Sequence, residues 1–285
     1  MNGTNVPSAT KGAQVRLNRV TPSYSRVVLD NPPLNLMGPE FVGQIREVVT
    51  ALENDDRVKV VVFESAVDGV FLNHSDFLAN FEDLTSIPQG PTGLEAWPDV
   101  LVRLTRASFV SIALIRGRAT GNGSELLLAC DMSFASREKA LFSHFEVGVG
   151  VVPGGGPMAR LPRVMGRARA LEVLLGCNDF SAELAERYGY INRALPVDEL
   201  TPFVESLAQR IASFPAHAIA HAKAAVDAGA FRSMAEGLLM EAHESDLSVA
   251  NEITQGRVKE ALRVGAETYE GELEMKFLSS LSMGR

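Results

Sequence analysis

Cysteine is scarce in this chain. Cys130 and Cys177 are the only two in 285 residues, and they form no C-x-x-C pair. That excludes a disulfide framework and a thiolate zinc site. Both sit in apolar runs, LLLAC and LLGC, where a thiol behaves as a small core side chain. Long hydrophobic runs are missing as well. The longest, FVSIALI at 109–115, is far below the roughly 18 apolar residues of a membrane helix. There is no surplus of positive charge. The 27 Lys and Arg against 35 Asp and Glu leave −8 at pH 7, the wrong sign for a nucleic-acid scaffold. Histidine is limited to five, and only His217 and His221 have helical i, i+4 spacing. No third ligand accompanies them, so they read as surface or structural residues. The N-terminal stretch MNGTNVPSATKGAQ has neither a basic start nor an apolar segment. It reads as a flexible tail over 1–14 rather than a secretory signal, and the expected compartment is the cytoplasm.

What is present is an ordinary globular composition, 46 % apolar and 22 % charged. That is too apolar for a disordered chain and long enough for one large or two small domains. Strands are expected at Val15 to Val20 and Arg26 to Asp30, then a turn at NPPLN, since proline fixes φ and removes a donor. Phe41, Val42, Ile45, Val48, Val49 and Leu52 repeat at helical spacing and predict a helix from Pro39 to Asn54. Valine-rich Val58 to Glu64 predicts a strand, and strand–helix–strand order predicts a layered α/β unit. Residues Asp83 to Pro98, with Trp97, read as an irregular loop, either a lid or a plain surface loop. A helix at Asp99 to Arg106, a strand at Phe109 to Ile115, a short apolar helix after GNGSE and a strand at Asp131 to Ala135 follow. Beyond about Ala194 the spacing is helical. The expected division is a tail at 1–14, an α/β core at 15–195 and a helical region at 196–285.

Three segments carry chemistry. In Gly121-Asn122-Gly123-Ser124-Glu125, glycines allow a sharp turn, and the helix that starts there offers free N–H groups and a positive dipole end. Glu125 either complements that dipole or is a catalytic carboxylate. The spacing fits neither G-x-G-x-x-G nor a P-loop. In Phe142-Ser143-His144-Phe145-Glu146, Glu146 lies between an aromatic and a valine–glycine run. It is either a strand-end glutamate or a carboxyl whose pKa desolvation raises, suited to general acid work. His144 reads as a solvated loop histidine. In Phe71-Leu72-Asn73-His74-Ser75-Asp76-Phe77, the polar residues suit a turn or a helix cap.

Taken in order, these segments resemble the enoyl-CoA hydratase/isomerase, or crotonase, superfamily over roughly Arg16 to Phe277. LDNPPLN is similar to the family's L-N-R-P-P-x-N, and FLNHSDF stands where F-x-A-G-x-D-[LI] is found. IRGRATGNGSELLLACD resembles V-x-G-x-A-x-G-G-G-x-E-L-[AL]-x-x-C-D. FSHFEVGVGVVPGGG resembles F-x-x-P-E-x-x-x-G-x-x-P-x-x-G-G, and RLPRVMG resembles R-L-x-R-x-x-G. The resemblance implies an α/β fold, a spiral of ββα units followed by a C-terminal helical trimerisation region.

It also implies roles. Backbone N–H groups of Ser75 and Asn122 would form the oxyanion hole for a thioester oxygen. Glu125 and Glu146 would hold the attacking water. His74, Asp76, Leu34, Leu36, Gly121 and Gly123 would contact substrate. The implied activity is hydration of a 2-enoyl-CoA, with coenzyme A as part of the substrate, no permanently bound cofactor and no metal. The implied assembly is a homotrimer or a dimer of trimers, with no nucleic-acid or membrane partner. The chain departs from the pattern at Asn73-His74, which replaces A-G, at Asn122, which replaces a glycine, and at Phe145, which replaces a proline. Asparagine tolerates left-handed backbone better than most residues, so its N–H can keep its place. The departures leave two further expectations beside hydration. One is a crotonase-family C–C bond (β-diketone) hydrolase or isomerase using His74 and His144. The other is an acyl-CoA binder without catalysis.

Overall fold

The valines at 60–62 have no polar face between them, which marks a strand buried on both sides. They open β3 (Val60–Ser65), in the interior of a six-stranded sheet. The computed structural model describes residues 12–79, 83 and 86–283. The sheet runs β1 (Val15–Thr21), β2 (Tyr24–Leu29), β3, β5 (Val110–Ile115), β7 (Met132–Ser136), β10 (Arg193–Leu195). β1 is the antiparallel edge, and the other neighbours are parallel.

The two-residue period of a strand divides this apolar run between two cores. Val61, Phe63, Ala113 and Ile115 face a large core that includes Phe41, Ile45, Val49 and Leu52 of α1 (Pro39–Glu53). Leu101 and Leu104 of α2 (Ala96–Arg106) join the same core. Val60, Val62, Ile112, Leu114 and Phe134 face the other side. There Leu200, Val204 and Ala208 of α7 (Val197–Ala212) cover them.

A second sheet has the order β4 (Val70–Leu72), β6 (Arg118–Thr120), β8 (Leu141–Ser143), β9 (Phe180–Ser181). Successive strands alternate between the sheets: β3 then β4, β5 then β6, β7 then β8. α2 follows the first pair, α3 (Asn122–Ala129) the second, and a 3-10 turn (Glu146–Val149) with α4 (Pro157–Met165) the third. This is the expected spiral of strand–strand–helix units. β4, β6 and β8 run parallel, so their C-terminal ends lie along one edge.

α5 (Arg167–Gly176) and α6 (Ala182–Tyr188) precede β10. After α7, the described residues form only helices: α8 (Ala216–Phe231), α9 (Met234–Ala250), α10 (Glu252–Arg263), α11 (Tyr269–Glu274) and α12 (Lys276–Met283). α8 stands off the core across an open cavity of about 660 Å³, lined in part by Val110, Leu128, Met132 and Phe231. Lys223 crosses to the core. Its Nζ donates to Asp131 Oδ2 at 2.9 Å, to the Phe109 carbonyl at 3.0 Å and to the Leu104 carbonyl at 3.3 Å. α9 and α10 leave Leu238, Leu239, Leu247, Ile253 and Val258 exposed.

Several expectations need adjustment. α2 begins at Ala96, so Trp97 and Pro98 belong to a helix and not to the preceding loop. Proline in a first helical turn gives up no intrahelical bond, which is why α2 accommodates Pro98 as its third residue. Both cysteines are unpaired and half-buried, and burial pushes the Cys130 thiol up. His217 bonds Thr254 and His221 bonds Glu244, as structural residues do. Residues 1–11 of the expected tail, 80–82 just before the expected loop and 84–85 within it lie outside the described residues. Among the described residues no helix is long and apolar enough to cross a membrane.

Candidate active site

Ligand sites in parallel sheets collect where strand C-termini end together. Here the segments that leave β4, β6 and β8 are His74–Asp76, Gly121–Glu125 and His144–Glu146, the three singled out in the sequence. They line one cavity of about 410 Å³ that includes His74, Ser75, Asn122, Glu125, Phe145 and Glu146.

The first segment is fixed by the NPPLN turn, which contains a cis Pro32–Pro33 bond. Buried Asn35, at φ +49°, donates to the Phe71 carbonyl at 2.9 Å and to Ser65 Oγ at 2.9 Å. The Met37 N–H then donates to the His74 carbonyl, and the Asp76 N–H donates to the Met37 carbonyl. In such a parallel bridge, alternation turns the N–H of the middle residue, Ser75, away from Met37. Ser75 Oγ donates to Asn122 Oδ1 at 3.0 Å. Asp76 Oδ1 accepts from the Leu78 N–H at 2.9 Å, the turn-forming contact that its sequence suggests. The His74 ring stacks on Phe77, with centroids 4.6 Å apart, and meets Phe145 edge-on at 4.9 Å.

The second segment turns at Gly121, whose φ of +56° suits glycine. A Cβ there would come within 3.1 Å of Glu146 Oε1. Asn122 is the first residue of α3, so its N–H is one of the donors a helix start leaves without an intrahelical partner. Gly123 is pressed against β4: a Cβ would lie 1.9 Å from the Leu72 carbonyl oxygen. Glu125 is 2 % exposed. Its Oε2 accepts from Trp97 Nε1 at 2.7 Å and from Asn122 Nδ2 at 3.0 Å. Its Oε1 accepts from the Gly155 N–H at 2.6 Å.

The third segment corrects two expectations. His144 is fully buried, not a solvated loop residue. Its Nε2 lies 3.1 Å from Tyr190 Oη and its Nδ1 lies 3.5 Å from Glu146 Oε1. Burial raises the Tyr190 phenol far above its usual range, so it keeps its proton. His144 Nδ1 faces Glu146 but, at this separation, makes no hydrogen bond among the described residues. Burial does push the Glu146 carboxyl upward, but His144 and the surrounding backbone N–H groups outweigh it. The net result is a carboxyl below the ordinary glutamate range, opposite to the raised value expected from its apolar neighbours. Glu146 Oε2 is buried without a hydrogen-bond partner among the described residues.

Leu34, Leu36, Gly121 and Gly123 lie outside the lining of this cavity. Leu34 is exposed, and its carbonyl accepts from Asn73 Nδ2 at 3.0 Å. Leu36 accepts from Asn31 Nδ2 at 2.8 Å, and the two glycines shape the turn behind the cavity. The contacts of Gly155 and Tyr190 were not evident from the sequence, and Trp97, expected in a loop, reaches Glu125 from α2. Among the described residues no group of three or more His, Cys, Asp or Glu is placed to hold a metal ion.

The model of the enoyl-CoA hydratase/isomerase family matches residues 22–269. This chain belongs to that family. A crotonyl-CoA hydratase of Syntrophomonas wolfei is 30 % identical over 222 residues, covering 77 % of this chain and 83 % of that protein. A "Probable enoyl-CoA hydratase, mitochondrial" of Dictyostelium discoideum is 31 % identical over 218 residues, covering 75 % and 76 %. Among solved structures, a Streptomyces avermitilis protein provisionally named an enoyl-CoA hydratase is 37 % identical. It matches with a TM-score of 0.72 over 98 % of this chain and 100 % of its own. The fold of this family member is therefore the crotonase fold, with two mixed sheets and a C-terminal helical region.

Proposed function

We propose that this protein adds water across the double bond of a 2-enoyl-CoA thioester. One observation carries the reading: Glu125 and Glu146 line the same cavity as Ser75 and Asn122. The thioester oxygen is received by the backbone N–H groups of Ser75 and Asn122, the latter at a helix N-terminus. They stabilise the negative charge that develops as the enolate forms. Losing one such donor costs about 3–4 kcal/mol in a comparable enzyme. Glu125 holds the water through an oxygen. Glu146, kept ionised at neutral pH, takes the water's proton as its oxygen bonds C3 and the C2=C3 electron pair moves toward the carbonyl. Glu146 then returns that proton to C2, so one water supplies both the hydroxyl and the hydrogen. Coenzyme A arrives and leaves with the acyl group. The exposed leucines of α9 would be covered in a trimer of this chain, and sedimentation at micromolar concentration is expected to show a species of three chains.

The test is a panel of enoyl-CoA thioesters of increasing chain length beside a cyclic diketone, at one enzyme concentration. Enoyl-CoA turnover is expected, and Glu125→Gln and Glu146→Gln should each lower it by about 10²- to 10⁴-fold. Turnover confined to the diketone sinks the proposal. So does calorimetric binding of CoA with no turnover of any enoyl-CoA.

A further inference from the structure

Trp97 is the only tryptophan in the chain. It comes from α2, is 7 % exposed and directs its indole N–H at Glu125 Oε2, at 2.7 Å. We propose that Trp97, together with the Asn122 side chain, is a positioning residue that leaves Glu125 a single working oxygen. The inference rests on the hydratase reading for what that oxygen does, but not for the contact itself.

Lone-pair accounting carries it. Each carboxylate oxygen accepts about two hydrogen bonds. Trp97 and Asn122 fill both sites on Oε2, and the Gly155 N–H fills one on Oε1. One acceptor site remains, on Oε1. Indole is a donor only, so Trp97 can neither accept a proton from Oε2 nor relay one. A proton on Oε2 would point at two N–H groups. Rotation of the carboxylate would break three hydrogen bonds at once. The Asn122 amide adds a link that glycine lacks, since it also accepts from Ser75 Oγ. The positions proposed to stabilise the oxyanion are thus tied to the orientation of the water-holding carboxylate. A buried tryptophan N–H needs a partner in any case. Here that partner is a carboxylate lining the cavity, rather than a carbonyl elsewhere in the core.

Because residue 97 is the only tryptophan, growth on β-(benzothienyl)alanine in a tryptophan auxotroph replaces this one side chain. The substitute is nearly isosteric and has sulfur in place of the N–H. This form and Trp97→Phe are both expected to lower kcat about 10- to 100-fold, with KM within about threefold. Glu125→Gln is expected to shift the tryptophan emission maximum of the otherwise unchanged protein. If the benzothienyl form keeps wild-type kcat, Trp97 is packing only and the proposal is overturned, whatever Trp97→Phe does. Emission spectra of wild type and Glu125→Gln that superimpose also overturn it. If the wild type turns over no enoyl-CoA, the hydratase reading fails alone. The emission comparison then still decides whether Trp97 is bonded to Glu125.

Discussion

Glu146 illustrates how one neighbour reverses the effect of burial. Without His144, only the backbone N–H groups would oppose desolvation, and this carboxyl would titrate higher than it does. His144→Gln is therefore expected to move the acid limb of the kcat/KM profile to higher pH, with the alkaline limb unchanged. A limb that stays in place would mean that His144 does not govern Glu146. The sign for stability follows from the same lowering. Glu146 contributes stability above the unfolded glutamate value, and that contribution disappears as pH falls through its folded value. Both glutamates were legible in the sequence, because their segments carry recognisable spacing. The environment of Glu146 was not. Tyr190 lies 46 residues from His144, and Trp97 lies 28 residues from Glu125. No local pattern reports contacts of that range. The phenylalanines on both sides of Ser143-His144 were the one available hint that this histidine is buried.

Short elements decide the site, and short elements are the hardest to read. β4, β6 and β8 have three residues each, too few for a two-residue period to show against neighbouring turns. Their segments read as turns and loops, although their parallel pairing is what brings 74–76, 121–125 and 144–146 together. The long elements were clear. α1 ends within a residue of its expected limit, and β3 is shifted by one or two residues from the expected strand. The stretch from Val151 to Gly156 acts at the same scale, as a strap against Glu125. A Cβ at Gly155 would meet Glu125 Oε2 at 2.2 Å. Gly155→Ala is expected to lower kcat at least tenfold while the far-ultraviolet circular dichroism stays native. Activity within twofold of wild type would show that the strap gives way without disturbing the carboxylate.

At the scale of the molecule, the ββα spiral was legible only through the family resemblance that the three motifs carry, because the strands that build it are too short to show a repeat. The placement of α7 was less evident. Its apolar positions repeat as in any amphipathic helix, and only the sheet's second apolar face tells what it covers. The same limit holds for α8, whose alanine-rich sequence has no strong apolar stripe. Lys223 fastens it where packing is thin, across the cavity that separates this helix from Val110 and Met132. Amide exchange gives that pin a kinetic meaning. A helix joined to the core chiefly through one half-buried ion pair opens as a unit at lower free energy than the sheet beneath it. Protons of α8 and α9 are thus expected to exchange together and ahead of those of β3 and β5. Lys223→Met should speed the helical set by about 10- to 100-fold and leave the sheet at its original rate.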